Sequence, residues 1–263
     1  MHLIGTAASG IRAQQLAMDT VADNIANTNT IGFKASQVSF AETLKNVVRP
    51  EKATLPIGVS IPDALSVGAG VILNGVGTDF SQGPISTTEN IWDLNIEGEG
   101  FFQVIRPNGE TAYTRAGSFR TNANGQLQDS QGNLLAGGIP STAILVPKEA
   151  TEVSVSTDGE LKGVVQGITQ AFGQITLAGF ANQEGLFKVG DNLYTSSANS
   201  GDAVIGFPGQ NLGIVHSKAL EQSNVNLGSA MTDLIQVQRV YQLNSRMVQD
   251  GDRMWDIANT IRR

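Results

Sequence analysis

The chain has 263 residues, 40% of them hydrophobic, which is enough to bury one large core or two modest ones. Its formal net charge of -7 gives little electrostatic support to a phosphate-backbone partner, so we expect no nucleic-acid binding. The absence of cysteine excludes disulfides, thiolate metal sites and cysteine nucleophiles.

The N-terminal residues lack the basic segment and continuous apolar run of a cleavable secretory signal. No stretch of about 18 uninterrupted apolar residues is present, so we expect no membrane-spanning helix. A protein that is exported with its N-terminus uncleaved would show the same pattern.

A first helix is predicted at the N-terminus, because apolar residues recur there every seven positions. They are Ile4, Ile11, Met18 and Ile25. The stretch DNIANTNTIGFKAS then predicts the end of this helix, since Asn and Thr side chains compete for backbone hydrogen bonds. Gly32 supplies a position that tolerates positive φ, and Phe33 supplies an apolar anchor.

The C-terminal residues carry a second seven-residue ladder, which predicts a helix of about 40 residues and about 60 Å. Its members are Leu220, Leu227, Leu234, Tyr241, Val248 and Trp255, and a parallel ladder contains Val240, Met247, Met254 and Ile261. Each helix alone is typical of one that covers the core of its own domain. Together, two heptad patterns at the chain ends favour a coiled coil between them.

The middle of the chain predicts an extended arm followed by a mainly antiparallel β domain. Scattered Pro and Gly between Val47 and Gly83 indicate the arm. Asn108-Gly109 and Asn124-Gly125 each separate short β-rich runs, which is a strong hairpin signal. The predicted fold class is α+β, with terminal helices from 1–45 and 217–263, an arm from 46–71 and a β-rich domain from 72–216.

Candidate catalytic residues are few. The two histidines, His2 and His216, cannot form a histidine-centred triad or a multi-histidine metal site. Glu97 and Glu99 are predicted on one face of a strand, where paired carboxylates could perform glycoside chemistry but more often form a solvated edge. Arg115 could bind an anion, although a structural salt bridge is the favoured interpretation. We therefore expect no enzyme activity, cofactor, metal or small-molecule substrate.

Three motifs resemble those of bacterial flagellar rod and hook proteins. The first is SGIRAQQLAMDTVADNIANTNTIGFKAS, whose end matches the family pattern at Ala26, Asn27, Thr30, Gly32, Phe33 and Lys34. The second, DLNIEGEGFFQVIRPNGETAYTRAGSF, is similar to the family's core strand pair. The third, LEQSNVNLGSAMTDLIQVQRVYQLNSRMV, is similar to its C-terminal helix. Within the family, the chain most resembles distal rod proteins, with a short hook or proximal rod protein as the alternative.

The resemblance implies a structural subunit of the flagellar basal body that assembles helically into a hollow tube and transmits torque. It implies export without a cleaved signal peptide, and three kinds of partner: further copies of the chain, adjacent rod and hook proteins, and the flagellar export apparatus. The expected assembly interface consists of Ile4, Ile11, Met18, Ile25, Leu227, Leu234, Tyr241, Val248 and Trp255. A secreted carbohydrate-binding β protein is the alternative outside the flagellum.

Overall fold

The structure is a computed structural model that describes residues 2–43, 45–47, 66–68, 70–138 and 142–261. The chain divides into two compact units. The helical unit contains Met1–Ile25, Ser36–Gly77 and Leu227–Arg263, and the β unit contains Ala26–Ala35 and Thr78–Asn226. Most of the predicted arm, residues 48–65, lies outside the described residues.

Two long helices belong almost entirely to the helical unit. α1 spans His2–Ala26, which confirms both the predicted N-terminal helix and its end before Asn27. α2 spans Leu227–Ile261 and has 35 residues, so it is shorter than predicted. The prediction was wrong for Leu220, which lies in a β-strand because its backbone pairs with Ser86. In the described ranges, no helix is long and apolar enough to cross a membrane.

The described residues of the helical unit also form four strands. They are β1 (Ser36–Glu42), β2 (Lys45–Val47), β3 (Ser66–Gly68) and β4 (Val71–Thr78). β1 pairs with β4, and β2 pairs with β3 in antiparallel register. Large apolar side chains on β4, including Ile72, Leu73 and Val76, are exposed.

Within its described residues, 26–35, 78–138 and 142–226, the β unit has seventeen strands and one 3-10 turn at Gln183–Gly185. The strands are β5 (Ile85–Thr87), β6 (Leu94–Glu97), β7 (Phe101–Ile105), β8 (Thr111–Thr114), β9 (Arg120–Thr121), β10 (Leu127–Gln128), β11 (Leu134–Gly137), β12 (Thr142–Ala143), β13 (Thr151–Val155), β14 (Glu160–Val165), β15 (Ile168–Gln174), β16 (Leu177–Gly179), β17 (Phe187–Gly190), β18 (Leu193–Thr195), β19 (Val204–Gly206), β20 (Ile214–Ser217) and β21 (Ala219–Glu221).

The largest sheet of the β unit has the strand order β17-β18-β8-β7-β11-β10-β9, with β12 added to β11 and β16 pairing with both β7 and β19. β13, β14 and β15 form a separate meander, while β20 pairs with β6 and β21 with β5. All of these pairs are antiparallel, as predicted for the middle of the chain.

Both predicted Asn-Gly hairpins are confirmed. β7 and β8 pair on either side of Asn108-Gly109, with Ile105 opposite Thr111. β9 and β10 pair on either side of Asn124-Gly125, with Thr121 opposite Leu127. The two glycines have φ angles of +83° and +82°, a left-handed conformation that glycine adopts without a steric penalty.

The core of the β unit consists of two clusters of buried side chains. The larger contains Leu94, Ile96, Phe102, Val104, Ala112, Phe119, Leu127, Leu135, Ile144, Val146, Leu161, Ile175, Leu177, Leu193 and Val215. The smaller is mainly aromatic and contains Phe101, Tyr113, Ala178, Phe180 and Tyr194. Alternating strand residues supply these clusters, because successive side chains of a strand point to opposite faces.

Candidate assembly site

The chain leaves α1 through a tight polar turn. The Thr30 amide donates to the Asn27 carbonyl at 3.1 Å, and the Thr30 hydroxyl bonds to the Asn27 side-chain oxygen at the same distance. The Phe33 amide then donates to the Thr30 carbonyl at 3.3 Å. Short polar side chains therefore satisfy backbone groups where the helix stops, as the sequence predicted.

Gly32 follows this turn at a point where two backbone segments meet. Its φ angle is +66°, and its amide donates to the Glu221 carbonyl at 2.8 Å. A Cβ atom on Gly32 would lie 2.5 Å from the amide nitrogen of Ala116. This position therefore requires glycine for its backbone conformation and for space.

Lys34 is fully buried and binds a single carboxylate. Its Nζ donates to Oε1 of Glu221 at 2.6 Å and to the Ser81 carbonyl at 2.6 Å. The Gly83 amide donates to the same Oε1 at 2.9 Å. Glu221 is also buried, so this is an ion pair with little access to water.

Arg115 completes this group from a third part of the sequence. Its Nη1 lies 3.6 Å from Oε2 of Glu221, and its Nη2 donates to the Gly98 carbonyl at 2.8 Å. The guanidinium carbon lies 5.4 Å from the centroid of the Phe101 ring. Arg115 therefore makes an internal salt bridge, the interpretation that the sequence favoured. We call Lys34, Arg115 and Glu221 the junction cluster.

The junction cluster contains two buried cations and one buried carboxylate. Burial lowers the pKa of Lys34, and the attraction and hydrogen bond of Glu221 oppose that shift. Burial also lowers the pKa of Arg115, again against the attraction of Glu221. Because Glu221 compensates both cations, its removal would leave two buried positive charges without a counter-charge.

The side chain of Asn224, a residue of the segment before α2, binds both the segment that follows α1 and the residues that follow β4. Its Oδ1 accepts from the Ala35 amide at 2.8 Å, and its Nδ2 donates to the carbonyls of Asp79 at 2.9 Å and Ser81 at 3.2 Å. Its own amide donates to the Phe33 carbonyl at 3.4 Å. The segment that follows α1 and the segment that precedes α2 thus lie side by side in the β unit.

The family motif residues fall into two groups. Gly32, Phe33 and Lys34 are buried in the β unit, and the ammonium of Lys188 lies 4.7 Å from the centroid of the Phe33 ring. Ala26 is exposed at the end of α1, whereas Asn27 and Thr30 form the turn. The motif therefore describes a helix end and its attachment to the β unit.

On α2 the less exposed side chains lie mostly along one stripe, which consists of Ala230, Leu234, Val237, Tyr241, Asn244, Val248 and Gly251. On α1 most side chains are partly buried, and a corresponding stripe among them consists of Ile4, Ala7, Ile11, Gln14, Met18, Val21 and Ile25. Both stripes alternate steps of three and four residues, the spacing of a coiled-coil seam. A Cβ atom on Gly10 would lie 2.9 Å from Nδ2 of Asn244, so α1 and α2 approach closely at this level.

The residues of the expected assembly interface differ in exposure. Ile4, Ile11, Met18, Ile25, Leu234, Tyr241 and Val248 are partly buried, whereas Leu227 and Trp255 are exposed. Further large apolar side chains of α2 are exposed, among them Met231, Ile235, Leu243, Met247, Met254 and Ile257. Leu243, Met247, Met254 and Ile257 lie three, four or seven residues apart, so they share one face of α2.

The predicted carboxylate pair does not form one catalytic group. Glu97 ends β6, and its Oε2 lies 2.8 Å from Nε2 of His216 on the paired strand β20. Glu99 lies beyond that strand, since Gly98 has a φ angle of +102° and turns the chain. The prediction of two carboxylates on one strand face was wrong for this reason. The described residues also contain no group of three or more side chains that could hold a metal ion.

Sequence reasoning missed Glu221 and Asn224. Glu221 was placed in the predicted C-terminal helix, and its contact with Lys34 joins residues 187 positions apart. A signal did exist, because Lys34 is the only charged residue of NTNTIGFKAS and Arg115 is the only charged residue of TAYTRAGSF. If both are buried, a shared acidic partner must lie elsewhere in the chain.

Comparison with known families identifies three matching segments in chain order. Residues 4–34 match the family described as "Flagella basal body rod protein". Residues 95–163 match "Flagellar hook protein FlgE/F/G D1 domain", and residues 216–261 match "Flagellar basal body rod FlgEFG protein C-terminal". The junction cluster takes one residue from each of these segments.

Curated relatives match the chain over its length. The flagellar basal-body rod protein FlgG of Caulobacter vibrioides is 37% identical over 100% of both chains. FlgG of Buchnera aphidicola subsp. Acyrthosiphon pisum is 36% identical over 94% of both, and FlgG of Borreliella burgdorferi is 34% identical over 100% of this chain and 99% of its own. The chain therefore belongs to the FlgG family of bacterial flagellar basal-body rod proteins.

Proposed function

We propose that this chain is a structural subunit of the distal rod, and that copies of it assemble head to tail into a hollow helical tube that transmits torque to the hook. Its relationship to FlgG proteins over its full length carries this proposal. Contacts that repeat without closing on themselves generate filaments, and a tube is a filament with a central channel. No step in this function requires a catalytic residue.

Pairing of α1 with α2 as a coiled coil is the first part of the proposal. The stripes named above on the two helices have matching three-four spacing, and Gly10 allows close approach to Asn244. Ala7 and Ala230 are the only buried hydrophobic residues of these stripes within the described ranges. Because so little of the seam is buried, we expect the pair to be weak in an isolated subunit and stronger in an assembly.

The second apolar face of α2 supplies the contact with neighbouring copies. Met254 is 56% exposed and Ile257 is 58% exposed, although water disfavours both side chains. Burial of such side chains contributes about 1.5–3 kcal/mol each. Methionine also adapts its shape to a partner surface, which suits a contact that many subunits must repeat.

We expect the β unit to fold without the helices. The predicted β-rich domain, 72–216, forms most of this unit. The junction cluster sets where the chain leaves this unit, because Lys34 lies eight residues after α1 and Glu221 lies six residues before α2. The helices α1 and α2, which lie within the predicted terminal regions 1–45 and 217–263, then form the inner part of the tube, and residues 46–71 form an extended arm.

Partners of the chain are further copies of itself, the adjacent rod and hook proteins, and the flagellar export apparatus that delivers the subunit. The location is the basal body of the flagellum.

A relative with another name, the flagellar hook-basal body complex protein FlhP of Bacillus subtilis, is 28% identical over 98% of this chain. A short hook or a proximal rod protein is therefore the alternative that the experiment must separate from a distal rod protein.

Electron microscopy of basal bodies from a strain that lacks this gene tests the proposal. We expect rods that begin normally and stop before the distal segment, with no hook attached. Re-expression of the chain should restore both. A full-length rod that lacks only the hook would indicate a hook protein, and complete absence of the rod would indicate a proximal subunit. Normal flagella would contradict all three assignments.

A further inference from the structure

Two hairpin turns of the β unit share the same backbone arrangement and the same Asn-Gly pair. In the first, the Arg106 amide donates to the Glu110 carbonyl at 2.9 Å, and the Gly109 amide donates to the Arg106 carbonyl at 2.8 Å. In the second, the Asn122 amide donates to the Gln126 carbonyl at 2.9 Å, and the Gly125 amide donates to the Asn122 carbonyl at 3.0 Å. The two glycine nitrogens are thus in closely matched settings.

The two asparagine side chains are held differently. Oδ1 of Asn108 accepts from the Glu110 amide at 3.0 Å, and its Nδ2 donates to the Glu110 carboxylate at 2.7 Å. Asn124 is exposed, and its side chain makes no hydrogen bond to any described residue. In this turn, Oδ1 of Asn122 accepts from the amides of Asn124 at 2.8 Å and Gln126 at 2.9 Å. The Gln126 amide, which corresponds to the Glu110 amide of the first turn, is therefore already bonded to another side chain.

We propose that Asn124 is a site of spontaneous deamidation, and that Glu110 protects Asn108 from the same reaction. The backbone nitrogen of Gly125 loses its proton and attacks Cγ of Asn124, a carbon–nitrogen bond forms, and the amide nitrogen leaves as ammonia. Water then opens the resulting succinimide to aspartate or isoaspartate. A glycine after the asparagine leaves the attack unhindered, whereas a locked side chain cannot reach the reacting geometry.

The product at Asn124 would disturb a contact of the core. The Gly125 carbonyl accepts from the Val146 amide at 2.7 Å, and a Cβ atom on Gly125 would overlap the Val146 carbonyl oxygen. Val146 belongs to the larger buried cluster. Isoaspartate lengthens the backbone by one carbon beside this close approach, so it shifts Gly125 away from its partner. Deamidation would therefore weaken the β unit as well as add a negative charge.

Peptide mapping by mass spectrometry of the full-length protein, incubated at neutral pH and elevated temperature, tests this inference. We expect Asn124 to gain the mass that accompanies conversion of an amide to an acid several-fold faster than Asn108. Glu110→Ala should raise the rate at Asn108 toward that of Asn124 and leave Asn124 unchanged. Asn124→Gln should remove the fast reaction and slow the loss of thermal stability during incubation.

Two results would overturn the inference. One is an equal or greater rate at Asn108 in the unaltered protein, because the Glu110 contacts would then give no protection. The other is an Asn108 rate that does not respond to Glu110→Ala while circular dichroism shows that the variant is folded. If Glu110→Ala fails to fold, the comparison of Asn124 with Asn108 in the unaltered protein still decides the question.

Discussion

The β unit has a buried core of large apolar side chains, whereas α2 has none that is buried among its described residues. Phe101, Phe102 and Tyr194 are fully buried in the two core clusters of the β unit, although Phe187 and Val204 of the same unit are exposed. On α2, by contrast, Met231, Ile235 and other apolar residues are about half exposed. The β unit therefore has a hydrophobic core of its own, whereas the exposed apolar face of α2 is the surface that we propose neighbouring copies bury.

Under the proposed function, the β unit supplies the stability of the subunit and the helical unit supplies the contacts for assembly. A unit that buries its core can fold before assembly, while an amphipathic helix with an uncovered face gains most of its stability from packing. Substitutions in the β unit should thus change the unfolding of the subunit. Substitutions on the exposed helix faces should change assembly alone.

The largest loss of stability is expected for Glu221→Ala. This change leaves Lys34 and Arg115 buried without their carboxylate, and breaking a buried ion pair by removing one partner costs about 3–5 kcal/mol. Chemical denaturation of the full chain, followed by a β-sheet signal, measures the effect. Glu97→Ala is the control, because its pair with His216 is exposed and such pairs contribute about 0–1 kcal/mol. Equal losses for the two variants would refute the role of the junction cluster.

Gly32→Ala should have the next largest effect. The new Cβ atom meets the Ala116 backbone, and the positive φ angle adds strain, so we expect a loss of about 2–4 kcal/mol. Gly167→Ala is a matched control, since Gly167 has a φ angle of +79° but no atom near a Cβ at that position. Its loss should be about 1 kcal/mol. Thermal unfolding of both variants measures how much of the loss at Gly32 comes from the contact with the Ala116 backbone and how much from the positive φ angle alone.

Tyr194→Phe should have a smaller effect that depends on pH. Burial raises the pKa of Tyr194 from 10.0 to about 12. The folded state therefore keeps this proton when the unfolded chain has lost it, so stability that is present below pH 10 is lost as pH rises toward 12. The loss amounts to about 2–3 kcal/mol. Tyr194→Phe should remove that part of the loss, as measured by urea denaturation from pH 9 to pH 12. An identical pH dependence in both proteins would place the Tyr194 hydroxyl in contact with water.

At neutral pH, the same substitution should be close to neutral. The Tyr194 hydroxyl is buried and has no hydrogen-bond partner among the described residues. Removing an unsatisfied polar group therefore costs little and can stabilise the protein. A loss of more than about 1 kcal/mol would show that the hydroxyl makes a bond that contributes to folding.

The sequence predicted those features that depend on neighbouring residues. The seven-residue ladder of α1, the polar residues at its end and the two Asn-Gly turns are local signals, and all appear in the structure. Tertiary pairing overrode the periodicity at Leu220, because one apolar position fits a strand as well as a helix. The residue type of Arg115 favoured a structural salt bridge, but the sequence did not predict that its partner is Glu221.

The junction cluster was beyond the reach of sequence patterns because it is built from three distant segments. Lys34, Arg115 and Glu221 meet only once the sheets of the β unit have formed. Neither charge spacing nor periodicity encodes such a contact. The pairing of α1 and α2 and the assembly interface remain predictions, which rest on the stripes and on the exposed faces of the helices.

Motility and rod completion in cells that carry Leu234→Asp test the central claim most directly. Leu234 lies on the partly buried stripe of α2, so aspartate places a charge where assembly is proposed to exclude water, at a cost of several kcal/mol. We expect incomplete rods and no swimming, while the purified variant keeps the unfolding transition of the β unit. Gln249→Asp, at an exposed position of the same helix, should swim normally. Normal swimming of Leu234→Asp cells, or loss of the β-unit transition in the purified variant, would contradict the claim that the terminal helices serve assembly and the β unit serves stability.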